Sequence, residues 1–270
     1  RPSFFGSIHA TLNHILVGDS IWFGRFTANL PAHLTRLDMI LQDDFASLRA
    51  AREAKDAEIL AFCDALDEAK LRDRTAVIVV SDHGFEPVTR GVRPNAIFRR
   101  EGLLKVEGNK IISARAMVIS EGGIGMVYLT NPETAEEDGR TVRRLLAGVE
   151  GIDAIVEPED FPKYNLPVPK QNPRMADLII AVKPGYSVSG IATGDQAVAE
   201  SRTQTGSHGF LSTNPKMNAL FVAAGAGIRS GTKLKTVDNV DIAPTASRLL
   251  GYSLKDASGR VLTEILDDSH

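Results

Sequence analysis

Two short segments carry the residue types that hold divalent metals. Ser81-Asp82-His83-Gly84-Phe85 follows directly on the apolar run Val77–Val80. Thr205-Gly206-Ser207-His208-Gly209-Phe210 repeats its His-Gly-Phe texture much later and again precedes an apolar run, Ala219–Ala224. A carboxylate oxygen beside an imidazole nitrogen suits Zn²⁺ or a similar ion, and the glycine lets the backbone turn away at once. Taken alone, an Asp-His-Gly triplet also fits a capping aspartate and a hydrogen-bonded histidine. The second copy points instead to two halves of one metal site, with Asp82, His83 and His208 as ligands.

The elements around them must place these groups at strand ends. From Asp43 to Lys70 the apolar residues Phe45, Leu48, Ala51, Ile59, Phe62, Cys63 and Leu66 recur at near-helical spacing among charges, which predicts an amphipathic helix. Leu71-Arg72-Asp73-Arg74 breaks it, and Thr75–Val80 reads as a strand buried on both faces. Asp82 and His83 then project from its C-terminal end, where open α/β sheets place ligands. Ala219–Ala224 predicts a second buried strand, and Ala246–Leu250 a helix stopped by Gly251.

Between the motifs, short strand candidates at Ile111-Ile112, Met126–Leu129 and Leu178–Val182 alternate with Gly and Pro turns, with one helix candidate over Glu133–Leu146. Lys163–Arg174 holds too many prolines for a helix or central strand and predicts an ordered surface loop. The expected fold is therefore α/β: a mainly parallel core sheet flanked by helices, with an inserted α+β cap. Residues 1–86 and 205–270 would form the core and 87–204 the cap.

Composition narrows the function classes. A hydrophobic fraction of 43% with 24% charged residues over 270 residues allows a sizeable core without staples. The lone Cys63 excludes an internal disulfide framework and reads as a buried helix residue. A net charge of −3 and pI near 6.1 give no electrostatic case for a nucleic-acid polymer or an anionic membrane, so any phosphate must be met locally. No stretch reaches the roughly 18 apolar residues of a membrane span. The start, Arg1-Pro2-Ser3-Phe4, has neither an initiating Met nor the order of a signal peptide, so a processed or partial chain is expected; it reads as soluble, with the compartment, cytoplasm or periplasm, left open.

On the paired motifs, Asp73-Arg74-Thr75, Pro184-Gly185-Tyr186, Asn239–Thr245 and Gly259-Arg260-Val261-Leu262, the sequence resembles the alkaline phosphatase superfamily. Within it, the resemblance is to the type I phosphodiesterase and nucleotide pyrophosphatase branch, including phosphonoacetate hydrolase-like relatives. It implies a metal-dependent hydrolase of phosphodiester, pyrophosphate or phosphonate bonds in a small phosphorylated substrate. Two Zn ions are implied, Mn being the alternative, with Asp82 and His83 on one and His208 on the other. The implied mechanism is in-line attack by a metal-activated hydroxyl, a covalent phospho-enzyme, and its hydrolysis by water. Asp241, before a helix start, reads as a structural cap.

The sequence also departs from that family. The Asp-x-x-x-His of the second metal has no clean copy; Asp38 stands nearest, Gln42 occupies the alternative frame, and His33 is a further candidate ligand. Only Thr11-Leu12-Asn13-His14 echoes the nucleophile motif, one residue short, so the catalytic nucleophile is not assigned. Lys163, Tyr164, Lys170 and Arg174 are candidates for contacting the alcohol side of the ester, or form a solvated basic loop. A degenerate, non-catalytic relative that binds metal or ligand is the competing class. A sulfatase or phosphoglycerate mutase-like member is the other alternative.

Overall fold

In chain order the computed structural model, which describes residues 8–36 and 39–267, forms α1 (Ile8–Phe26), α2 (Phe45–Glu68), β1 (Ala76–Val80), β2 (Glu86–Val92), α3 (Pro94–Arg100), β3 (Leu104–Glu107), β4 (Lys110–Ala114) and β5 (Ala116–Ser120). There follow β6 (Ile124–Leu129), α4 (Ala135–Leu146), β7 (Ile152–Val156), β8 (Leu178–Val182), β9 (Gly185–Val188), β10 (Val198–Ser207), β11 (Phe221–Gly225) and α5 (Ile242–Leu249). The chain divides into two compact units. One takes the chain up to Arg49 with Phe85–Met217, the other Ala50–Gly84 with the chain from Asn218 on. The sequence expectation had placed the boundaries after 86 and 204.

The first unit is built on a four-stranded antiparallel sheet in the order β5-β6-β8-β7. All five residues of β8 are buried, as its continuous apolar run requires, and α4 adds Val142 and Leu146 to the same core. A second sheet, β10-β2-β9, pairs β2 antiparallel with β10 and parallel with β9, and β3 and β4 form a hairpin. Leu16, Val17 and Ile21 of α1 are buried, whereas Ile15 and Trp22 face outward. Asn13 is fully buried on α1: its Oδ1 accepts the Leu41 and Gln42 N–H groups at 2.8 and 2.9 Å, and its Nδ2 donates to the Gln42 carbonyl at 3.1 Å. One side chain thus supplies both halves of a backbone ladder to the segment it holds.

The second unit pairs β1 with β11, and here the expected mainly parallel sheet is corrected. The pairing is antiparallel, Val79 opposite Val222, and among the described residues only β2 and β9 run parallel. The β-branched run that predicted a strand covered on both faces leaves Val79 51% and Val80 46% exposed, because β1 and β11 pair only with each other. Apolar content marks the strand but not its cover. Cys63, expected buried, is half-buried on α2.

Asp241 is structural, but its carboxylate does not cap α5 as expected. Its carboxylate, on a residue 5% exposed, accepts the Arg260 N–H at 2.9 Å and the Asp238 N–H at 3.3 Å. Thr245 Oγ1 donates to the Asp241 carbonyl and accepts the Leu262 N–H, so the start of α5 and the closing segment share one polar knot. Asp241→Ala should lower stability by about 1–3 kcal/mol, since it removes a buried carboxylate together with its two part-buried backbone hydrogen bonds. Urea denaturation of the intact chain checks this, and an unchanged midpoint would contradict it.

Candidate metal centre

In the second unit, Ser81 continues the ladder of β1. It donates its N–H to the Leu220 carbonyl at 3.0 Å, and its Oγ accepts the Leu220 N–H at 2.8 Å. The next two residues leave the sheet. Asp82 Oδ1 accepts the His83 N–H at 3.0 Å, and Asn239 Nδ2 donates to the Asp82 carbonyl at 2.6 Å, which fixes the backbone while the carboxylate stays 85% exposed. His83 Nδ1 lies 2.9 Å from the Gly84 carbonyl, a contact that places the ring proton on Nδ1. Nε2 then carries the lone pair and lies 3.4 Å from Asp82 Oδ2. Two adjacent electron-pair donors oriented by backbone partners fit a divalent ion.

In the first unit, His208 follows the last residue of β10, whose Ser207 is opposite Glu86 of β2. Its position is set by the turn between β5 and β6. The His208 carbonyl accepts the Gly123 N–H at 2.8 Å, and the Phe85 ring stands edge-on to the imidazole, 6.1 Å between centroids at 88°. The two backbones approach so closely that only glycine fits. A Cβ on Gly209 (φ +68°) would lie 1.9 Å from the Glu121 carbonyl oxygen, and one on Gly122 (φ +99°) 2.4 Å from that of His208. Gly84, the counterpart of Gly209 in the earlier motif, is not in the left-handed region, so the like-looking segments turn differently.

The other candidates divide as follows. Asp38 lies outside the described residues, and Thr11 belongs to α1. His33 is exposed in a turn after Pro31, and Gln42 is held through its backbone by Asn13. Lys163 is exposed and paired with Asp160 at 2.6 Å, a hydrogen bond that raises its pKa. Tyr164 packs partly into a small core with Phe161 and Ile179, and Lys170 and Arg174 are exposed. Among the described residues no group of three or more His, Cys, Asp or Glu side chains is gathered as a metal cage. None of those residues forms a helix long and apolar enough to cross a membrane.

Sequence reasoning did not single out Glu86, Asn239, or Gly122 and Gly123. Glu86 shares a face of β2 with the buried Val88 and Val92, but that phase shows only once the strand is known, and its Glu-Pro-Val-Thr-Arg-Gly-Val sequence does not declare one. For the glycines there was no signal, since their partners are distant in sequence.

A family model described as "Type I phosphodiesterase / nucleotide pyrophosphatase" matches residues 32–211. The chain belongs to that family. It is similar to a Xenopus laevis protein named bis(5'-adenosyl)-triphosphatase enpp4, 21% identical over 220 residues, which are 80% of this chain and 42% of that protein. Among solved structures it resembles murine ectonucleotide pyrophosphatase/phosphodiesterase 5, with a TM-score of 0.59, 17% identity and coverage of 83% of this chain and 54% of that one. The human protein of the same name gives a TM-score of 0.59 at 16% identity, covering 84% and 55%. An inactive form of the murine protein in complex with AMP gives 0.60 at 17% identity, with the same coverage as the murine structure above. These likenesses show an alkaline phosphatase-like α/β fold, and the chain spans about half the length of the relatives it matches.

Proposed function

We propose that this chain carries divalent-metal ligands for hydrolysis of phosphodiester or pyrophosphate bonds in small phosphorylated substrates, nucleotides foremost. Asp82, His83 and His208 are the ligands, Asp38 completes the set, and zinc is the favoured metal, with manganese the alternative. The observation that carries this reading is that the family match runs through both motifs, from before Asp82-His83 to beyond His208. The paired Asp82 and His83 donors support it, as do the adenine-nucleotide names of the relatives. A divalent ion held there would lower the pKa of an attacking hydroxyl and neutralise charge on the phosphoryl oxygens. Asp82 supplies negative charge, the Gly84 carbonyl orients His83, and the Gly123 N–H anchors the backbone of His208.

Turnover of bis-p-nitrophenyl phosphate against p-nitrophenyl phosphate tests the reaction class. The diester should be the faster substrate, and chelator should abolish the activity until zinc or manganese is returned. A preference for the monoester, or activity indifferent to chelator, would overturn the proposal.

A further inference from the structure

We propose that Glu86 is a positioning residue for His208, fixing both ends of the segment that carries the imidazole; this rests on the reading of His208 as a metal ligand. Glu86 opens β2 directly opposite Ser207, the residue before His208. Its carboxylate belongs to a residue only 2% exposed and is met from the far side of the segment: Lys216 Nζ donates at 2.8 Å and Asn214 Nδ2 at 3.3 Å. Asn214 is the node of a tight turn. Its Oδ1 accepts the Lys216 N–H, its own N–H donates to the Leu211 carbonyl, and its carbonyl accepts the Met217 N–H. The chain therefore leaves the sheet across from Glu86, passes through His208, Gly209 and Phe210, and returns onto the Glu86 carboxylate.

An apolar residue in phase with Val88 would fill this position without the desolvation a carboxylate suffers, and an ion pair whose Lys216 end is 54% exposed contributes little net stability against such a replacement. What the carboxylate adds is geometry: it gathers two donors carried by the return turn, the charge-assisted Lys216 contact and the Asn214 amide. With the His208 carbonyl held from the other side by the Gly123 N–H, the imidazole has a fixed base from which to meet a metal.

Zinc titration calorimetry on the full chain, with amide hydrogen exchange at Gly123, tests this in Lys216→Met and in the double variant Glu86→Gln/Lys216→Met. The single change leaves the buried carboxylate with only the longer Asn214 contact and should lower the unfolding midpoint; the double change removes both charges and should restore it. If Glu86 only stabilises, zinc affinity returns with the midpoint. The positioning role predicts that affinity stays weaker by about tenfold or more in both variants, the scale seen when groups supporting metal ligands are removed. Exchange at Gly123, whose N–H donates to the His208 carbonyl, should also accelerate by about tenfold in the double variant, with β8 unchanged. Zinc affinity within about twofold of the unmutated chain in the double variant would overturn the inference. If the unmutated chain takes up no zinc, the ligand reading of His208 falls by itself; exchange then decides, faster exchange supporting the clamp and unchanged exchange overturning it.

Discussion

Gly209→Ala should be among the most damaging single substitutions in the first unit, lowering its stability by about 2–5 kcal/mol. Two costs add. The residue sits at φ +68°, in the left-handed region, where a side chain costs about 1–2 kcal/mol. The new Cβ would also meet the Glu121 carbonyl oxygen at 1.9 Å, a rigid backbone atom rather than the mobile end of a side chain. Forcing such a contact apart typically costs about 1–3 kcal/mol more. Gly102 is the control, because it has φ +72° but nothing within 4 Å of its missing Cβ, so Gly102→Ala should cost only the conformational part. Urea denaturation of both variants measures the difference. Equal losses would show that the backbone of the His208 segment does not lie against the Glu121–Gly123 turn.

That contact also shows what was legible in the sequence. The ends of β1 and β10 could be read because each carries a local signature: an unbroken apolar run before Asp82-His83 and the repeated His-Gly-Phe at His208. β8 and α4 could be read for the same reason, since a continuous apolar run and a helical period are properties of adjacent residues. β2 and β10 could not. Glu-Pro-Val-Thr-Arg-Gly-Val and the polar Val198–Ser207 are strands because they pair with each other across a hundred residues of chain, with a register shift between Glu200 and Thr205. α3 is under two turns long, too short for a period to declare itself, yet Pro94–Phe98 are all buried. The direction of the β1–β11 pair was misjudged because β-branched residues report strand formation, whereas direction depends on which distant strand arrives beside it. At the candidate site, Asp82, His83 and His208 stood out by residue type and motif; the backbone partners that hold them, Asn239 behind Asp82 and the glycine turn behind His208, did not.

The other large effect concerns the metal. His83→Ala removes the Nε2 donor that lies 3.4 Å from Asp82 Oδ2, and leaves a carboxylate 85% exposed, too well solvated to hold zinc by itself. His208→Ala removes the imidazole from the end of β10 while leaving the Gly123 contact, which uses only backbone atoms, in place. Both variants should therefore fold with near-normal stability and lose metal. His33→Ala, which alters an exposed turn, serves as the comparison.

The most direct measurement is the metal content of the intact chain, purified without chelator, beside these variants. The unmutated protein should hold about two equivalents of zinc or manganese, the number used by two-metal phosphoryl-transfer sites, and both His83→Ala and His208→Ala should show a clear loss. An unmutated protein that holds no metal, or variants that hold as much as it does, would contradict this.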